Sequence, residues 1–152
     1  MPLPTRQEIC PYNDLDGLCA CEHFLGKSLE EAEALFRESS IYYQADLMWM
    51  GVVAFRYYLP AVLGFVRSDA ATDDSDFIAH FASTLECRLE HESLDLQPVG
   101  QQLADLCRYV VEYWSRFESG AEYYGDVRAR YELLQQTFSR LAASASADSA
   151  LH

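Results

Sequence analysis

The stretch DLMWMGVVAFRYYLPAVLGFVR, from Asp46 to Arg67, limits what this chain can fold into more than any other. Twenty residues stand between those two charges; only Arg56 is charged, and eighteen are apolar, aromatic or glycine. A run of that length matches the thickness of a bilayer. Two residues argue against a membrane span: Arg56 at the centre, where an arginine costs roughly 2.5 to 3.5 kcal/mol, and Pro60, which removes a helical hydrogen bond. The run is therefore expected as the buried middle of a water-soluble protein, with other helices packed around it. Arg56 then needs a partner, because an unpaired buried charge costs several kcal/mol, and Asp46 or a carboxylate from another helix is expected to supply it. Gly51 is a break point, and Pro60 either opens a fresh helix or kinks a continuous one, so that 51–67 is one kinked helix or two.

The remaining segments read as helices as well. Pro2, Pro4, Pro11, Gly17 and Gly26 leave room for no long helix before Lys27, only a short turn from Thr5 to Cys10. Ser28 with Glu31 three residues on is a capping box, and Leu29, Ala32, Leu35 and Phe36 carry a helix to about Glu38. A further helix is expected from near Tyr42 through Trp49. After the acidic loop SDAATDDSD, Asp74 or Ser75 caps a helix whose Phe77, Ile78, Phe81, Leu85 and Leu89 form one face to about His91. Asp76, Arg88 and Glu90 are expected on its wetter side. Leu103, Leu106, Val110, Trp114 and Phe117 predict a helix from Gly100 to Ser119 that Gly120 stops. Asp126 then caps a helix with Val127, Tyr131, Leu134, Phe138 and Leu141 at alternating four- and three-residue spacing, the seam of an antiparallel hairpin. No stretch alternates with a strand's period. The expected fold is all-α: one helical bundle of five to six helices over 1–142, ending in that hairpin, with a disordered polar tail at 143–152.

Half of the residues are hydrophobic and 13% are aromatic, so the net charge of −13 does not imply a disordered chain. Residues 1–95 carry 17 acidic and 6 basic side chains, whereas 96–152 carry 7 and 5, which places the acidity in the first two thirds. Such a surface repels nucleic acid and anionic lipid and speeds encounter with basic proteins. The N-terminal MPLPTRQEICPYN shows no basic patch followed by an apolar run, so no secretory signal is expected and the cytoplasm is the expected location. Five cysteines cannot all pair within one chain, and reduced thiols are expected.

Patterns that could carry chemistry are few. Cys10, Cys19, Cys21 and His23 include the ligand types that zinc prefers, but their spacing is not that of a zinc knuckle, and plain thiols are the expectation. Asp76 and His80 lie one helical turn apart without the repeated motif that a bundle metal site needs. No nucleophile elbow and no phosphate-cradling glycine loop is present, so no catalytic residue and no cofactor is assigned. The tyrosine pairs 42/43, 57/58 and 123/124 each allow one ring in the core and one at the surface.

The run AFRYYLPAVLGF (Ala54 to Phe65), preceded by DLMWM and by the EEAEALF helix, resembles a group of small uncharacterised bacterial proteins with a central AFRYYLPA-type segment. The similarity covers about Phe24 to Val66. Such proteins resemble those encoded beside polymorphic toxins, many of them acidic immunity proteins, and the resemblance implies that class; joined to the acidic first two thirds and the lack of a catalytic constellation, it makes a non-enzymatic protein that covers a basic toxin domain the expectation. Asp69, Asp73, Asp74, Asp76, Glu86 and Glu90 are the expected partner-binding carboxylates, and Arg56, Tyr57, Tyr58 and Pro60 the expected structural organisers. The alternative is a helical-bundle enzyme or anion-binding protein with a pocket at Arg56. Neither pattern nor resemblance fixes an oligomeric state.

Overall fold

Helix α5 (Val52–Arg67) turns eight of its sixteen residues inward, among them Phe55, Tyr58, Leu59, Val62 and Phe65. The greasy stretch thus becomes the centre of a helical unit, as its composition requires. The computed structural model describes residues 2–118 and 126–151, with side chains through 145, and every regular element among them is helical. By contacts the chain divides into two compact units, Met1–Thr72 and Asp73–His152, within the stretch read above as one domain.

In the first unit, α1 (Arg6–Ile9), α2 (Leu15–Phe24), α3 (Leu29–Glu38) and α4 (Ser40–Trp49) lead into α5. The Ser28–Glu31 capping box forms as expected, and Thr5 with Glu8 forms a second one at α1. Helix α2 is an addition to the expected elements. Asp14 caps it by accepting from the Gly17 N–H at 2.8 Å, and Gly17 sits inside without ending it. Helices α1 and α3 pack on α5, and α2 and α3 pack on α4. Pro60 lies within a single continuous α5, on its exposed side. It has no N–H to give to the Arg56 carbonyl, a loss that solvent can make good at that surface.

Tyr58 ties this unit together. Its ring is wholly buried and its hydroxyl donates to the carbonyls of Phe24 (2.8 Å) and Lys27 (2.9 Å), fastening the end of α2 to α5. Burial pushes its pKa from the ordinary 10 up to about 12. Because the folded-state value is the higher one, the contribution of the neutral phenol is complete below pH 10 and lost as pH rises through about 12. Tyr58→Phe should therefore cost about 1 to 2 kcal/mol at neutral pH. It should also flatten the fall of stability above pH 10, as urea denaturation at neutral pH and at about pH 11 will show.

In the second unit, α6 (Ser75–Leu96) runs past the expected end at His91, with a kink at Glu92 (φ −140°, ψ 30°), and covers much of the polar segment that follows. Helix α7 (Gly100–Glu112) is followed by a 3-10 turn at Trp114–Arg116 rather than continuing to Ser119. Gly120, Tyr123, Tyr124 and Gly125 lie outside the described residues. Helix α8 (Val127–Leu151) continues through the stretch that composition assigns to a disordered tail. Gly100 at the start of α7 lies against Ala142 on the second half of α8, so the two helices form the antiparallel hairpin that their seam predicts. Val127, Tyr131, Leu134 and Phe138 are buried along it, and the Tyr131 hydroxyl donates to the Ile78 carbonyl at 2.6 Å, joining α8 to α6.

Candidate binding surfaces

The six carboxylates expected to meet a partner do not share one surface element. Asp69 belongs to the first unit, where it opens a 3-10 turn (Asp69–Ala71), and is exposed. The other five belong to the second. Asp73 is exposed in the left-handed region (φ 64°), and its N–H donates to the Arg116 carbonyl at 2.7 Å. Asp74 is the N-cap of α6, its side chain accepting from the Phe77 N–H at 3.1 Å. Asp76, Glu86 and Glu90 fall within about 80° of one another around α6, opposite the buried Phe77, Phe81 and Leu85.

Glu86 is occupied, because it accepts the Arg130 guanidinium from α8, which also donates to Ser83 at 3.0 Å. Those bonds raise the Arg130 pKa and make the pair a clamp between α6 and α8. On α6 the exposed acidic side opposite the buried face thus holds Asp76 and Glu90 beside the Arg130-bound Glu86, and Asp73 is exposed just ahead of the helix.

Two arginines depart from expectation in depth. Arg56 is half-buried, whereas Arg88, expected on the wet side of α6, is 4% exposed and donates to Glu92 at 2.8 Å. At helical spacing Arg88 falls between Phe77 and Phe81, on the buried face, and burial lowers its pKa against the pull of Glu92. A cleft of about 440 Å³ lined by Gln97, Pro98, Gln101, Ser139, Ala142, Ala143 and Ala145 lies in the second unit and includes no arginine.

Asp46 meets a different partner from the expected one. Its carboxylate, 5% exposed, lies 2.6 Å from His23 Nδ1. Burial pushes the Asp46 carboxyl up and the histidine bond opposes it, while the nearby Asp16 charge adds to the rise. An ionised carboxylate can only accept, so Nδ1–H donates to Asp46, and Nε2 faces the Tyr42 hydroxyl at 3.3 Å. The His23 ring packs against Tyr42 and Tyr43, both with centroids 5.2 Å away. The chain Asp46–His23–Tyr42 therefore pins α2 to α4 and fixes the orientation of an exposed tyrosine. The four-residue spacing of Tyr42 and Asp46 puts them on one face of α4 and was visible in sequence; His23 was not, because α2 was not anticipated.

Cys10 and Cys21 are buried and Cys19 is exposed. On α2, Cys19 and Cys21 point about 160° apart, so the two thiols diverge. Among the described residues no three His, Cys, Asp or Glu side chains converge as metal ligands, and no helix is long and apolar enough to cross a membrane. Comparison with family models, with curated proteins and with solved structures finds no match to the chain.

Proposed function

We propose that this chain is a non-enzymatic, cytoplasmic binding protein that neutralises a basic protein partner by covering it, in the manner of a toxin-immunity protein. The observation that carries the reading is the excess of exposed carboxylates. Asp73, Asp76 and Glu90 are exposed in the second unit, in a chain whose first 95 residues hold 17 acids against 6 bases. A field of that sign draws in a cationic protein and orients it before contact. The AFRYYLPA-type resemblance supplies the class of partner, a bacterial toxin domain.

The test is association with the basic protein encoded beside this chain. Complex formation is expected, with an association rate that falls by about tenfold or more between roughly 50 mM and 500 mM salt, since screening removes the steering. Asp76→Asn with Glu90→Gln should lower that rate and leave dissociation nearly unchanged. Absence of a basic partner in the native host at low salt would sink the reading.

A further inference from the structure

Helix α4 buries two polar side chains beside Leu47 and turns apolar ones outward. Its amide and its carboxylate, Gln44 and Asp46, are each 5% exposed, whereas Ile41, Tyr42 and Trp49 are 44%, 57% and 53% exposed, with Ala45 exposed among them. The four outward residues lie within a sector of about 100° and along about 12 Å of helix, so they form one stripe. A surface helix ordinarily shows the reverse pattern. Single exposed apolar residues need no explanation; a contiguous aromatic stripe on a helix without any exposed charge does. Tyr42 is also held in place by His23 and by the Tyr43 ring at 5.0 Å, so little rotamer freedom remains to be lost on contact.

Exposed carboxylates stand on the two helices that pack beside this stripe. Asp16 and Glu22 are exposed on α2, which packs against α4, and Glu38 is exposed at the end of α3. Asp16 acts electrostatically on Asp46, and Glu38 on Tyr43. Resting on the reading of a basic partner, we infer that the α4 stripe is where that partner anchors, through an arginine-bearing segment. Guanidinium planes lie on the Tyr42 and Trp49 rings while these carboxylates accept their N–H groups. Arginine fits better than lysine because its planar cation stacks as well as pairs. A second copy of the chain fits worse, since its own carboxylates would face these.

The probe is a nona-arginine peptide titrated at low salt into the uniformly 15N-labelled full chain, with nona-lysine in parallel. Amide shifts are expected to concentrate on α4 and on the Trp49 indole N–H, with nona-lysine binding several-fold more weakly. Trp49→Ala and Tyr42→Ala should each weaken nona-arginine about tenfold. Asp76→Asn with Glu90→Gln should change it by less than about twofold. Shifts confined to α6 with α4 unmoved would overturn this inference and leave the basic-partner reading standing. Binding of neither peptide would overturn both. Concentration-dependent self-association abolished by Trp49→Glu would assign the stripe to a second copy and overturn it as well.

Discussion

Phe24→Ala is expected to remove about 4 kcal/mol of stability from the first unit. The ring is wholly buried at the end of α2 and faces three others: Tyr58 at 5.1 Å, Phe36 at 5.9 Å and Tyr43 at 6.3 Å between centroids. Those rings come from α5, α3 and α4, so one truncation opens a cavity at the meeting point of four helices. The backbone at the same residue accepts the Tyr58 hydroxyl, which limits how far α2 can shift to fill the space. Since a domain holds only about 5 to 15 kcal/mol in total, a loss of this size should leave the unit near its unfolding threshold. Urea denaturation followed by circular dichroism measures it, and Phe24→Leu, which keeps most of the volume, should cost only about 1 kcal/mol. A loss below that for the alanine variant would show that the ring cluster does not hold α2 in place.

Phe24 also marks the boundary of what the sequence discloses. Capping boxes and three- and four-residue spacings are local, and they brought out α3, the hairpin of α7 and α8, and the start of α6 at Asp74. Helix α2 was hidden because Gly17 and the flanking prolines lower its intrinsic propensity, and tertiary packing of Ala20, Cys21 and Phe24 outweighs that cost. With α2 missing, the partner of Asp46 was sought at Arg56 and not at His23. Arg88 shows the complementary failure. Its position on the buried face followed from its own spacing, but a charged residue reads as wet until the ladder of neighbours is set against it. For the surfaces, the sequence disclosed sign but not distribution: acidity is a sum over residues, whereas the occupation of Glu86 by Arg130 depends on a contact between residues 44 positions apart. The exposed side of α4 was legible as aromatic, but not as outward.

Gly51→Ala should destabilise the first unit by about 3 kcal/mol, although its φ of −60° suits any residue. The obstacle is space. A Cβ at this position would stand 2.2 Å from the Glu8 carbonyl oxygen and 3.1 Å from Pro11 Cδ, and both belong to groups that cannot swing aside as a flexible side chain does. The Gly51 N–H also donates to the Ile9 carbonyl at 2.9 Å, so relieving the clash means breaking the bond that docks α1 onto the junction of α4 and α5. Gly26 provides the contrast. It has a positive φ of 78° and nothing within 4 Å of an added Cβ, so Gly26→Ala meets only backbone strain, about 1 kcal/mol. If space governs at Gly51 and conformation at Gly26, asparagine, which tolerates the left-handed region, should recover most of the loss at 26 and none at 51. Equilibrium urea denaturation of the four variants separates the two causes. The effect also bears on binding, because Trp49 ends α4 two residues before Gly51, and displacing the junction moves the far end of the aromatic stripe. Nona-arginine should therefore bind Gly51→Ala more weakly than it binds Gly26→Ala under conditions where both remain folded, and equal affinities would separate the stripe from the junction that positions it.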